Sequence, residues 1–379
     1  MPDRSDLMYM TTPHLSKLYI EPTTLCNLRC LTCIRNSWDE PIGSMDMAVY
    51  RKLLSDLKEF PTLNSISFWG IGEPLMHPEI VNMVSLAHEM GLKTEVITNG
   101  HLLNKDMASG FIHAGLDTLV VSVDGITQAS YQAIRLGGNL LLVEENIRTL
   151  NMLRSMTSGN NPEVGLEFVV MRRNIDQLPD VADMARSMEA SFIIVTNLLP
   201  CAEDMKEEIL YWISAMAGNY KEHSRCFPGL RLPRMDLRTK YLPPVLALLE
   251  RLGKPMPEIK DVPEEDYCPF VQKGSAAVAW SGHVSPCIAL MHSYRCYILG
   301  REKIIKRYSV GNIAQEKMGD IWNKESYREF RDRVLKFEFS PCIKCGGCYN
   351  CETNEEDCLG NTHPVCGDCL WANSVLLCP

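Results

Sequence analysis

Leu18-Tyr19-Ile20-Glu21-Pro22-Thr23-Thr24-Leu25-Cys26-Asn27-Leu28-Arg29-Cys30-Leu31-Thr32-Cys33 is the stretch from which the rest of the chain can be read. A short apolar, strand-like run leads into three thiols at spacings x3 and x2, which can wrap one face of a metal cluster. Iron–sulfur clusters are held by thiolates and normally take four. Three local ligands leave one iron open for a distant residue or for a substrate. Two blander readings compete, a zinc site completed by a remote ligand and three buried thiols.

Outward from this loop, residues 17–200 alternate β-rich runs with amphipathic helical ones. Strand candidates are Leu18–Ile20, Ser65–Trp69, Thr94–Thr98, Thr118–Val123, Gly165–Met171 and Phe192–Thr196. Between the first two, Val49, Leu53, Leu54, Leu57 and Phe60 recur at helical spacing, and Ile80, Met83, Val84 and Ala87 mark a second helix. Further helices are expected at Glu144–Met156 and Leu178–Met188. Strands separated by helices imply parallel pairing, because parallel neighbours need crossover connections. The fold class is therefore α/β, and its strand ends are where ligands collect.

Four strand ends carry candidate ligand residues. Gly70-Ile71-Gly72-Glu73-Pro74 combines glycines that permit close backbone approach with a glutamate able to accept from an ammonium group. Thr98-Asn99-Gly100 and Ser122-Val123-Asp124-Gly125 follow the third and fourth strands, and Thr196-Asn197 closes the sixth. Arg135 suits bidentate carboxylate binding. Glu95 and Glu167 lie inside strand runs, where unpaired carboxylates are rare. Period-two alternation places Glu167 with Val169 and Met171, away from Leu166 and Phe168, and so toward a lumen or toward a partner under a helix.

Residues 201–265 lose the alternation, broken by Pro228, Pro233, Pro243, Pro244, Pro255 and Pro257, and read as a bridge; Cys201 and Cys226 within it read as plain thiols. The remainder is rich in cysteine, with Cys268, Cys287, Cys342, Cys345, Cys348, Cys351, Cys358, Cys366, Cys369 and Cys378 as the candidate metal ligands. Clustered thiols without a leader sequence suggest metal binding in a reducing, cytoplasmic setting, with no membrane span. A net charge of −9 argues against a nucleic-acid backbone as partner. The one basic run, Arg295, Arg301, Lys303, Lys306 and Arg307, is either a solvated face or a seat for an acidic group.

The Cys26/Cys30/Cys33 spacing resembles the signature of radical S-adenosylmethionine (SAM) enzymes, although Thr32 stands where that family often has an aromatic residue. Gly70–Pro74 resembles the family's GGEP motif, and C-x13-G-x4-C from Cys268 to Cys287, with Cys342-x2-Cys345-x5-Cys351, resembles a SPASM domain. Glu355 replaces the family's next cysteine, so the tail cysteines cannot be divided by analogy; Cys268 and Cys287 are expected in one cluster and Cys342 and Cys345 in another. The resemblance implies a partial (β/α)6 barrel over residues 1–200, the bridge 201–265, and a SPASM domain over 266–379. It also implies one SAM-binding and two auxiliary [4Fe–4S] clusters.

In such enzymes the positions of Gly70, Gly72, Glu73, Pro74, Asn99, Ser122, Asp124 and Arg135 would contact SAM, which is cleaved reductively to a 5′-deoxyadenosyl radical; Glu167, if it faces the lumen, would contact SAM or substrate. A low-potential donor, ferredoxin or flavodoxin, would supply the electron. Cys33–Trp38, Asn197–Pro200 and the tail segments Asp357–Asn361 and Cys366–Ala372 resemble the maturases of tungsten-cofactor oxidoreductases. That narrower resemblance implies a tungsten oxidoreductase or its pterin cofactor as substrate. The alternative is a peptide maturase forming thioether or carbon–carbon crosslinks. Outside this class stand an electron carrier, which needs no Gly70–Pro74, and a zinc-bound interaction protein. No general acid or base stands out.

Overall fold

The computed structural model describes residues 14–157, 159–216, 225–237, 239–255, 268–345 and 348–377, with backbone only at 225–226. Each strand run expected from 17 to 200 forms a strand. They are β1 (Lys17–Ile20), β2 (Ser65–Phe68), β3 (Lys93–Thr98), β4 (Thr118–Ser122), β5 (Glu163–Val170) and β6 (Phe192–Asn197), and all neighbours pair in parallel. Between them run α1 (Met47–Leu57), α2 (Ile80–Glu89), α3 (Lys105–His113), α4 (Gln128–Ile134), α5 (Leu140–Ser155) and α6 (Val181–Ser187).

The helix starts are written in the sequence. Asp46, Asn104 and Asn139 accept backbone N–H bonds at the first turns of α1, α3 and α5, and Thr127 and Ser130 cap α4 reciprocally. Alternation along the strands then sorts two layers. Leu166, Phe168 and Val170 join Val96, Leu119 and Val121 in the core beneath the helices. Ile97, Val120 and Ile194 form a separate apolar cluster on the other, lumen side.

The sheet does not stop at the sixth strand. The bridge supplies an antiparallel hairpin, β7 (Arg225–Phe227) and β8 (Leu230–Leu232), and β8 adds in parallel to β6. At the opposite edge β9 (Ser275–Val278) pairs in parallel with β1, followed by β10 (His283–Ser285), a hairpin of β11 (Tyr294–Ile298) and β12 (Arg301–Ile305), and β13 (Gly311–Asn312). One sheet of eleven strands thus joins the barrel to the cysteine-rich region, in the order β13-β10-β9-β1-β2-β3-β4-β5-β6-β8-β7. No described helix is long and apolar enough to cross a membrane.

Candidate functional site

Four strand ends converge on the Cys26–Cys33 loop. The loop is tied to the residues after α4 by a two-residue antiparallel ladder in which Cys30 faces Arg135, and Leu31 N–H donates to Ile134 O at 2.9 Å. From the third strand end, Asn99 Nδ2 donates to Asn27 Oδ1 at 2.8 Å and stands 4.0 Å from Cys26 Sγ. Glu73 ties the second strand end to both. Its backbone N–H donates to Leu25 O, and its buried carboxylate accepts from Leu75 N, Thr98 Oγ1 and Asn99 N at 3.1, 2.6 and 2.7 Å. A carboxylate offers roughly four acceptor positions, so about one remains for a ligand.

The glycines of this turn serve the chain itself. A Cβ on Gly72 would collide with the Thr23 and Leu25 carbonyl oxygens, and one on Gly70 with the Glu21 side chain. Gly72→Ala is therefore expected to cost about 1–3 kcal/mol, as overpacking against backbone does, and to shift the urea unfolding midpoint downward.

Arg135 is the cation around which the site's charges are arranged. It is buried, and its Nε lies 2.8 Å from Asp124 Oδ2, while Asp124 Oδ1 accepts from Val169 N at 3.1 Å. Burial works against its charge, but Asp124 and then Cys30 outweigh it and hold the guanidinium firmly protonated. The Cys30 thiol is pushed up to about 12 by burial, with Arg135 pulling the other way. Burial also raises Cys26 and Cys33. Glu167 lies on the lumen side, one of the two placements the alternation leaves open, and accepts from Ser122 Oγ at 3.0 Å; burial raises its carboxyl against that bond. Glu95 lies at the other end of its strand, taken by Lys17 at 3.1 Å and Ser67 at 2.7 Å. Pro74 is buried in the turn behind Glu73. Tyr131 was not singled out by the sequence; its hydroxyl is buried without a partner one helical turn before Arg135.

The tail cysteines fall into two groups that the spacing left open. Cys268, Cys287, Cys366 and Cys369 line one apolar cavity, together with Cys296 on β11, Lys303 and Asp368. Burial pushes Cys268 up to about 12 and raises the other three; Cys268, Cys287 and Cys366 each sense the charge of others in the set, while Cys369 senses Asp368 and Lys303. Elsewhere Cys342 shares a hydrogen bond with Cys351 and senses Cys345, with Arg301 bonded to Cys351. Cys348 and Cys358 are exposed, and Cys358 Sγ lies 2.9 Å from Ser340 Oγ. Cys378 and the Cys226 side chain lie outside the described residues. Cys201 is a buried free thiol.

Among the described residues no three His, Cys, Asp or Glu side chains meet closely enough to clasp a single metal ion. A cluster makes a different demand, since each cysteine binds a different iron. Buried thiols that hold their protons until metal displaces them fit that donor set.

Two expectations change. The basic run is not an open anion seat: Lys303 is buried against Asp368 at 2.7 Å, Lys306 holds Glu355 at 2.7 Å, and Arg295 holds Glu302 at 3.3 Å. Thr196 and Asn197 are committed to the chain's own tail. Thr196 Oγ1 accepts from Leu377 N at 3.0 Å, Asn197 Nδ2 donates to Arg234 O and Val375 O at 2.8 Å, and Leu377 packs against the lumen cluster.

Residues 20–185 match the Radical SAM superfamily, and residues 268–351 match SPASM, an iron-sulfur cluster-binding domain. The chain is 32% identical to the tungsten-containing aldehyde ferredoxin oxidoreductase cofactor-modifying protein of Pyrococcus furiosus, over 96% of each chain. It is 29% identical to the PqqA peptide cyclase of Gluconobacter oxydans, over 95% of this chain and 92% of that one. Among solved structures, Streptococcus suis SuiB bound to precursor peptide SuiA superposes with a TM-score of 0.60 at 17% identity, covering 89% of this chain and 72% of that chain. A tagged anSMEcpe with bound AdoMet gives 0.58 at 17% identity, covering 95% and 93%. At such identities the likeness is one of fold.

Proposed function

Because the chain belongs to the radical SAM superfamily and carries its SPASM domain, we propose that it is a SAM-cleaving maturase acting on a tungsten-containing, aldehyde:ferredoxin-type oxidoreductase or on that enzyme's pterin cofactor. The observation that carries the reading is the convergence of Glu73, Asn99 and Arg135 on the Cys26–Cys33 loop. Bound there, SAM and a reduced iron–sulfur cluster supply one-electron cleavage and hydrogen-atom abstraction.

The chain's own residues prepare the place. Cys26, Cys30 and Cys33 hold the cluster, Glu73 keeps a lone pair for the SAM ammonium, and Arg135 compensates a carboxylate. Ser122, Asp124 and Glu167 complete the polar wall. Ile97, Val120, Ile194 and Leu377 keep the lumen apolar and exclude water. Cys268, Cys287, Cys366 and Cys369 hold one auxiliary cluster, and Cys342, Cys345 and Cys351 belong to the other, with the fourth ligand among Cys348 and Cys358. A ferredoxin or flavodoxin delivers the electron.

Anaerobic reconstitution should give about twelve irons per chain and reductant-dependent 5′-deoxyadenosine. Cys366→Ala and Cys369→Ala should each lose the same iron as Cys268→Ala, about four atoms, with SAM cleavage retained. Zinc in place of iron, or no cleavage on reduction, would end the reading. The tungsten oxidoreductase or its pterin should gain a new mass on incubation with enzyme, SAM and reductant. A crosslinked peptide instead would favour the second reading, which the full-length likeness to a peptide cyclase supports.

A further inference from the structure

We propose that His292 is a positioning residue for SAM, an imidazolium in the SPASM domain that holds Glu21 and, through it, the Gly70–Glu73 turn. The inference rests on the SAM-binding reading above. The Nε2 atom of His292 lies 2.8 Å from Glu21 Oε2 and its Nδ1 lies 2.6 Å from Glu40 Oε2. A neutral imidazole has one donor, so two carboxylates at bonding distance require the doubly protonated ring. The ring is buried, with Trp38 edge-on at 4.8 Å.

Each end of this clasp leads somewhere. Glu21 follows β1 directly, is fully buried, and accepts the Ile71 N–H at 3.0 Å through its other oxygen. Gly70 is packed so tightly on Glu21 that no side chain would fit, so a displaced Glu21 carries the turn with it. Glu73, three residues after Gly70, is the carboxylate assigned to the SAM ammonium. On the far side Glu40 also accepts from Ser293 N at 2.6 Å and senses Arg307; His283 stands near enough to feel both Arg307 and Glu40. His292 lies in the part of the chain that matches SPASM, and both glutamates lie in the part that matches radical SAM. Neither sequence spacing nor any strand-end motif joins these three residues.

Burial alone would depress the imidazole, but Glu21 and Glu40 outweigh it and raise His292 to about 9. The clasp is therefore complete below the ordinary histidine value and is lost as pH rises through about 9.

The test is equilibrium dialysis of SAM against the reconstituted, unreduced holoenzyme, with iron counted in the same samples. His292→Asn should bind SAM about tenfold more weakly at neutral pH, the size of one charge-assisted hydrogen bond, with full iron content. Wild-type affinity should fall across pH 9 with a step that His292→Asn lacks and that Glu40→Gln moves to lower pH. Unchanged SAM affinity in His292→Asn overturns the proposal. So does loss of iron together with SAM, which would mark the clasp as structural only. A wild-type protein that fails to bind SAM overturns the proposed function, and this inference with it.

Discussion

Asp124→Asn should lower the protein's stability by about 3–5 kcal/mol, the usual cost of leaving a buried charge without its partner. Asp124 is completely buried and Arg135 nearly so, with 2.8 Å between them. An asparagine there has one acceptor oxygen where the aspartate had two, and both are in use. If the amide oxygen keeps the Val169 N–H, its NH2 faces the guanidinium; if it turns to Arg135, its NH2 faces Val169 N–H. Either way two donors meet in a dry place. The effect also spreads, because Cys26, Cys30, Cys33, Glu73 and Glu167 all sense Arg135. Urea unfolding of wild type and variant, prepared identically, checks it. A shift below about 1 kcal/mol would mean that Arg135 has found a second counter-charge.

The second large effect lies in the wall of the auxiliary cavity. Lys303 Nζ sits 2.7 Å from both oxygens of Asp368, and both side chains are almost wholly buried. Asp368 stands between Cys366 and Cys369, so a stray negative charge there would oppose thiolate formation. Lys303→Met should cost about 3–5 kcal/mol and deplete iron from one cluster. The double variant Lys303→Met/Asp368→Leu should recover most of the stability, because a buried pair is costly to break but often replaceable by apolar side chains. Additive losses in the double variant would show that each residue has independent work.

Much of the barrel was legible because its strands are β-branched and its helices carry strong periodicity and side-chain caps. Glu167 illustrates how far alternation alone reaches: the pleat sets it apart from Leu166 and Phe168, but the choice of the lumen and the bond to Ser122 depend on the assembled sheet. β9 escaped notice because Ser275-Ala276-Ala277-Val278 is small and polar-started, yet all four residues are buried. The grouping of Cys366 and Cys369 with Cys268 and Cys287 spans about a hundred residues and depends on the sheet, so spacing could not supply it. The commitment of Thr196 and Asn197 to the tail was invisible for the same reason, since a polar strand end reads alike whether it faces a ligand or its own chain.

The position of β1 has a consequence for how the molecule can be divided. It hydrogen-bonds to Ser65–Phe68 along one edge and to Ser275–Val278 along the other. A cut between the two matched regions would bare a row of backbone donors and acceptors on each piece, next to apolar residues such as Leu18 and Ala276. Exposed edges of that kind recruit strands from other chains. The halves that sequence comparison separates so readily are, for the folded backbone, a single object, and each taken alone would be prone to aggregate.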